Sequence, residues 1–301
     1  MTLVTRVLSP EAIPSLEEYV EGHNGGVGLR NARAASTDEV IALVEASGLR
    51  GRGGAGFPTG VKWRTVQDYE SASWAATVVV NGAEGEPGTF KDRTILRNNP
   101  YAVLEGALIA AYAVDASRIV VALKRSFVAE VKRVRDAVRE IEDAGWSAPV
   151  ELVVFEGPDE YLYGEETALL ETLDGRLPFP RIAPPYRRGV LELVQSASDA
   201  SSDSGLSAHV SMAGTGKDLQ APPALVDNVE TLANIPGIIE RGAEWFRSEG
   251  TDESPGTIVC TITGQVATPG VGEVAMGTTL REAIYEVGGG PLAGREITAV
   301  V

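Results

Sequence analysis

The sequence predicts a layered α/β domain built on a parallel sheet, followed by a smaller β-rich unit. Short β-branched runs at residues 77–81, 118–123 and 150–155 alternate with helical stretches at 100–114, 126–144 and 164–173. Such a strand–helix–strand succession implies parallel pairing with right-handed crossovers. Near Gly256 the texture changes to a strand at 257–262, a turn-rich segment at 264–272 and a short helix at 279–287.

The elements follow in order. The first thirty residues read as irregular, with Gly and Pro scattered through them. Ser36 then opens a helix: its hydroxyl caps free amides, and Glu39, three residues on, completes a capping box. Val40, Ile41 and Val44 form the inward stripe, and Gly48 is the stop. Within 126–144, Phe127, Val131, Val134, Val138 and Ile141 keep helical spacing, and Gly145 ends the segment. From 187 to 221 the chain reads as a surface insertion, rich in Ser, Asp and Ala at 195–205. Order resumes at Pro222, with a helix over 229–239 around Pro236. In the second unit Leu280, Ala283, Ile284 and Val287 face inward, and the apolar run 297–301 reads as a last strand. A β-rich unit closing on that run reads as abbreviated. The divisions expected are 1–47, an N-terminal segment with the capped helix; 48–248, the α/β domain; and 249–301, the β-rich module.

Composition narrows the function. Of 301 residues, 44% are hydrophobic, enough for a core, and no run approaches the roughly 18 apolar residues of a membrane span. The start lacks the features of a signal peptide, so a cytoplasmic protein is the expectation. Asp and Glu total 42 against 26 Lys and Arg, and the net charge of -16 opposes binding to nucleic-acid phosphates. Cys260 is the only cysteine, and His23 and His209 are the only histidines. Neither a disulfide within the chain nor a cysteine-ligated iron–sulfur or zinc site can be built from these residues alone.

Chemistry concentrates in four places. Gly51-Arg52-Gly53-Gly54-Ala55-Gly56 satisfies G-x-G-x-x-G, where glycines let backbone amides approach a phosphate and Arg52 and Lys62 add charge. A helix precedes this run, whereas the dinucleotide fingerprint follows a strand, so it is not an ordinary Rossmann loop. Asn81, Glu84 and Glu86 sit just past the carboxyl end of the first strand, where open α/β sheets place ligands. Tyr161, Gly164, Glu165 and Glu166 stand at a helix start, and Asp227, Asn228, Glu230 and Thr231 at another. Each cluster taken singly is equally explained by turns and helix caps.

Taken in order, these segments resemble the family of flavin-bearing, NADH-oxidising subunits of respiratory complex I. The resemblance is carried by Gly48 through Trp63, Asn81 through Arg93, Gly164 through Leu169, Pro180 through Pro185, and Asn228 through Thr231. Thr263 to Val266 and Pro269 to Val271 resemble the β-grasp, ubiquitin-like module that follows in the family, known as the soluble-ligand-binding (SLBB) module. Flavoproteins of NAD-reducing hydrogenases and formate dehydrogenases share the pattern. The resemblance implies a Rossmann-like FMN domain and hydride transfer from NADH to the flavin, with no side chain acting as acid or base. It assigns Gly51, Arg52, Gly53, Lys62, Asn81, Glu84, Tyr161, Gly164, Glu165, Asn228 and Thr231 to FMN. Phe57, Glu86, Glu166 and Tyr186 match the NADH positions, with the carboxylates favouring NADH over NADPH. The chain departs from the family's common residues at Thr65, Ala83, Tyr163, Ala183 and Asp227. Iron–sulfur subunits of a redox complex are the implied partners, peripheral to the inner membrane, and no metal site is expected in this chain. Two other roles fit the same resemblance: a noncatalytic FMN-binding or assembly subunit, and the diaphorase of an NAD-linked hydrogenase or formate dehydrogenase.

Overall fold

The computed structural model describes residues 3–69, 75–191, 193–194 and 221–300. Four helices come first: α1 (Leu16–His23), α2 (Val27–Ala34), α3 (Thr37–Ser47) and α4 (Thr59–Asp68). The α/β succession follows as β1 (Ala76–Gly82), α5 (Lys91–Asn98), α6 (Pro100–Ala113), β2 (Ala116–Lys124), α7 (Val128–Asp143) and β3 (Glu151–Gly157). A 3-10 turn (Tyr161–Gly164) leads into α8 (Glu166–Leu173), and β4 (Ala224–Asn228), α9 (Val229–Arg241) and α10 (Ala243–Arg247) complete the domain. The last elements are β5 (Thr257–Ile262), β6 (Gly270–Ala275) and α11 (Leu280–Gly288).

The four-stranded sheet is all parallel, in the order β3-β2-β1-β4. This bears out the layered α/β fold. Alternation of side chains along the strands divides the core in two. Val78, Val80, Ile119, Val121, Leu123 and Leu225 face one layer, where α6, α7 and α9 supply Val103, Val134 and Leu232. Val79, Val120, Ala122, Phe155 and Val226 face the other, where Leu169, Leu170 and Leu173 of α8 cover them. The crossovers β1→β2 and β2→β3 run one way along the sheet, and β3→β4 runs back past β1. The reversal between β1 and β4 is a topological switch point, and it fixes where a ligand site opens.

The Ser36–Glu39 capping box is present, and Gly48 caps α3 with φ +71°. Two expectations give way. The first thirty residues are not irregular: α1 lies within them and α2 begins there, each eight residues long. Helices this short carry little periodic signal, and packing of Leu16, Tyr19, Leu29 and Ala32 into the core sustains them. Residues 297–300, expected as a strand, are exposed and lie outside any strand. Of the expected insertion, residues 192 and 195–220 lie outside the described residues.

In the C-terminal unit β5 and β6 pair antiparallel beside α11, which starts on a second capping box, Thr279–Glu282. The N-terminal segment fastens this unit to the first. A buried carboxylate oxygen of Glu273 accepts the amides of Arg6, Val7 and Leu8 at 3.0, 2.9 and 2.9 Å. Its other oxygen takes the Thr257 hydroxyl at 2.5 Å. Among the described residues no helix is long and apolar enough to cross a membrane.

Candidate functional site

The site gathers at the carboxyl ends of β1 and β4, which pair in register through Asn81 and Asn228. Four segments converge there. Between α3 and α4 the glycine run forms a loop closed at its base by an Arg50–Pro58 bridge and by the Gly51 amide on the Phe57 carbonyl at 2.8 Å. Gly54 and Gly56 take φ values of +116° and +63°, and a Cβ on either would meet open space. The loop therefore keeps a bare backbone edge toward solvent, the feature a phosphate or ribityl chain needs. At Gly53 a Cβ would come within 3.3 Å of the Asn228 Cβ, so this glycine lets the loop lie against the start of α9. The Arg52 amide donates to the Thr231 hydroxyl at 2.8 Å and fixes the same approach.

Arg52 and Lys62 have different fates. The Arg52 guanidinium is buried and donates to the carbonyls of Thr257, Arg50 and Pro255 at 3.1, 3.2 and 3.2 Å. Its charge serves the join to the second unit, and its backbone stays with the loop. Lys62, from α4, brings its ammonium to Glu166 at 2.8 Å and to the Val226 carbonyl at 2.6 Å. Burial acts to lower its pKa, but Asp227 and Glu166 outweigh that and hold it above the ordinary lysine value.

Past β1, the Asn81 amide donates to the Gly164 carbonyl at 2.9 Å and ties the strand end to the 3-10 turn. A Cβ at Gly164 would press to 2.9 Å of the Ala83 carbonyl oxygen, so a glycine is required for that closeness. Two predicted carboxylates turn out to be helix caps. Glu84 accepts from the amides of Asp92 and Arg93 at 3.2 and 3.4 Å and from the Arg93 guanidinium at 3.0 Å. Glu165 accepts from Thr167 and Ala168 amides, both at 2.9 Å, and from the Thr167 hydroxyl. Both side chains hold the site's frame; a helix-start role is the sequence alternative for Glu165, whereas for Glu84 that alternative is only a solvated acid in a strand-ending turn.

Glu86 and Tyr161 lie together at the rim, the Tyr161 hydroxyl donating to the Glu86 carboxylate. Tyr161 and Phe57 are both about half exposed, at 58% and 51%, so each presents a ring to solvent. Tyr186 is partly buried and packs on Tyr69, with ring centres 4.8 Å apart.

Sequence reasoning missed three contributors. Lys91 bonds Asp92, Glu230 and Asn228 at 2.7, 3.0 and 3.2 Å, which places a buried ion cluster under the loop. Burial raises the Glu230 pKa, and Lys91 works against that rise. Trp63, fully buried, donates its indole N–H to Asp227 at 2.8 Å. Tyr69 supplies the ring that holds Tyr186. Lys91 and Asp92 lie inside a segment already singled out, and an adjacent Lys-Asp pair opening a helix was the available signal. Trp63 also ends a segment already singled out, but its contact with Asp227, like that of Tyr69 with Tyr186, gave no signal because the partners are more than a hundred residues away in sequence.

A helix-flanked glycine loop over the switch point of a parallel sheet defines an α/β protein with a mononucleotide-type site. Residues 44–237 match the family described as the Nuo51 FMN-binding domain, and residues 259–299 match the SLBB domain. The chain belongs to the Nuo51 FMN-binding family. It is 38% identical over 291 residues to the second F subunit of the NADH-quinone oxidoreductase of Rhizobium meliloti, covering 93% of this chain and 62% of that one. The corresponding NADH-quinone oxidoreductase protein of Streptomyces coelicolor is 38% identical over 283 residues, covering 91% and 56%. That of Aquifex aeolicus is 35% identical over 306 residues, covering 99% and 64%. The chain thus spans under two thirds of the length of these relatives. Among solved structures, an NAD+-reducing [NiFe]-hydrogenase in the H2-reduced state superposes with a TM-score of 0.74 at 30% identity, covering 95% of this chain and 44% of that chain.

Proposed function

We propose that this chain binds FMN at the β1–β4 switch point and oxidises NADH, feeding electrons to iron–sulfur subunits of a complex I-like NADH dehydrogenase in the cytoplasm. The observation that carries the reading is the convergence of the open glycine loop, the end of β1 and the capped start of α9 at the carboxyl edge of the sheet. Residues present there fit the cofactor. Gly53 and the open backbone at Gly54 and Gly56 face a phosphate and ribityl chain, Gly51 and Arg52 hold the loop in place through their own amides, and Lys62 offers its ammonium. Asn81 and Asn228 line the inner wall, with Thr231, Gly164 and the caps Glu84 and Glu165 holding the walls in place. Tyr161 closes the rim.

Bound FMN supplies the acceptor for the hydride that leaves nicotinamide C4. The chain's own task is alignment and exclusion of water, which brings two rings into reactive contact without an acid or base. Phe57 and Tyr186 offer aromatic faces for the adenine. Glu86 and Glu166 take ribose hydroxyls, and their charge disfavours the added phosphate of NADPH. Under this reading the domain boundaries fall near residues 47 and 248.

Anaerobic addition of NADH to the FMN-loaded protein should bleach the flavin band. An unchanged flavin spectrum would overturn the oxidase reading. The hydrogenase likeness supports a second assembly, in which the same chemistry runs as the diaphorase of an NAD-linked hydrogenase. The proteins that copurify with the native chain decide between them.

A further inference from the structure

One buried acid at the site has no part in that alignment. Asp227, one residue before the end of β4, has its side chain 5% exposed and stands behind the Lys62 ammonium. Its two oxygens have distinct partners: Oδ2 accepts the Trp63 indole N–H at 2.8 Å, and Oδ1 faces Lys62 Nζ at 3.9 Å. The ammonium is closer to Glu166, at 2.8 Å, so it lies between two carboxylates and the Val226 carbonyl. One cation against two anions leaves the pair of walls net negative where an anionic ligand must settle. We propose that Asp227 is a positioning residue that makes anion binding at Lys62 proton-linked: ionised, it draws the ammonium inward, and protonated on Oδ1, it releases the ammonium to the phosphate.

The surroundings of Asp227 are few and can be named. From α4 come Lys62 and Trp63, and from α8 comes Glu166. Val80, its register partner on β1, is uncharged, and Glu230 on α9 is taken up by Lys91 and the Val259 amide. Burial pushes the Asp227 carboxyl up, Lys62 and Trp63 restrain it, and Glu166 adds to the rise. The sign follows: raising pH ionises Asp227, retracts Lys62 and weakens the hold on a phosphate.

This inference rests on the assignment of Lys62 to FMN made above. FMN and riboflavin are titrated by flavin-fluorescence quenching across the whole pH range in which the chain stays folded, in the parent chain and in Asp227→Asn. Asn keeps an acceptor for Trp63 and removes the charge. The second ionisation of the phosphate, near pH 6, is common to both proteins and cancels in the comparison. At the upper pH Asp227→Asn should bind FMN about tenfold more tightly than the parent, converging as pH falls. Riboflavin, which lacks the phosphate, should show no such gap. In a Lys62→Met background the Asp227 substitution should change nothing, and Glu166→Gln should keep the parent's pH gap. Parallel pH profiles, a gap that persists with riboflavin, or a gap that survives Lys62→Met would each overturn the proposal. No binding of either flavin at any pH would instead overturn the FMN reading on which it stands.

Discussion

Gly106 sits where α6 crosses α9, and replacing it with Ala tests whether this crossing holds the site together. A Cβ there would overlap the Leu232 carbonyl oxygen outright and come to 2.8 Å of its carbon. Ordinary contact begins at 3.4 Å, so the carbon alone requires a separation of at least 3.4 − 2.8 = 0.6 Å, and the oxygen requires more. The obstacle is backbone of a buried helix, which cannot swing aside as a side-chain tip would. Overpacking of this kind costs about 1–3 kcal/mol, and the better helix propensity of Ala returns about 1 kcal/mol. The 2.0 Å approach to a backbone oxygen puts this change at the upper end of that range, so a net loss of about 3 − 1 = 2 kcal/mol is expected, a fall of roughly 0.7 M in the urea midpoint at ordinary slopes for this size. The displaced helix carries Asn228 as its cap and Thr231 in its first turn, the two residues on which the glycine loop rests. FMN affinity should therefore drop about tenfold, the equivalent of about 1.4 kcal/mol. Urea unfolding followed by circular dichroism gives the first quantity, and flavin-fluorescence titration gives the second. An unchanged midpoint would refute the close crossing. A lowered midpoint with unchanged FMN affinity would refute the coupling between crossing and site.

Other perturbations separate frame from function. The Tyr163 hydroxyl is buried with no hydrogen-bond partner among the described residues, and burial drives its pKa up. Tyr163→Phe should leave the fold neutral or stabilise it by about 1 kcal/mol in thermal unfolding, and a clear loss would show a bond at that oxygen. Glu105 accepts the Tyr19 hydroxyl and the Gly26 and Leu29 amides at 2.8, 2.9 and 2.9 Å, three donors that an ionised carboxylate suits. Glu105→Gln should cost about 1–3 kcal/mol by setting an N–H against a donor, and equal stability would refute that network. Burial raises the Glu105 pKa in the folded chain, so the folded form binds that proton more tightly than the unfolded form. The destabilisation from this ionisation is absent below the unfolded pKa, near 4, and grows as pH rises through the folded value. Phe57 is exposed at the loop, so Phe57→Ala should leave stability within about 0.5 kcal/mol and raise KM for NADH in ferricyanide reduction. An unaltered KM would remove Phe57 from the nucleotide site.

The fold was legible where local signals and burial agree. Val78 and Val80, Ile119 and Val121, and the helix over Val131 to Ile141 report the layers directly, because strands buried on both faces read as apolar runs. Caps were equally readable, since Ser36 and Glu39 need only each other. The helices of the first thirty residues were hidden because their stability comes from distant packing, as when Tyr19 reaches Glu105. Glu84 and Glu165 show a different limit. A carboxylate beside a ligand and a carboxylate capping a helix have the same sequence signature, and only the hydrogen bonds to Asp92 and Thr167 tell them apart. The buried cluster of Lys91, Asp92, Asn228 and Glu230 joins residues from opposite ends of the domain, so a local pattern can flag the Lys91-Asp92 pair but not its partners.

Arg52 makes the same point in a testable form. A basic residue inside a glycine loop invites assignment to a phosphate, yet its guanidinium is taken up by three backbone carbonyls, one at Arg50 and two in the second unit. Burial lowers its pKa while Glu230 opposes the fall, as expected of a cation enclosed by carbonyls. Two of those carbonyls, Pro255 and Thr257, belong to the entry of β5, and the Val259 amide on the same strand donates to Glu230 at 2.8 Å. Loop, α9 and the second unit are therefore fastened at one junction. If the Arg52 charge served the phosphate, Arg52→Lys would keep most of the FMN affinity that Arg52→Met loses. A forked donor cannot be replaced by an ammonium, so the structure requires both variants to lose affinity and stability alike. Rescue of FMN binding by Lys, measured by fluorescence titration beside urea unfolding, would return the charge to the phosphate and refute the junction.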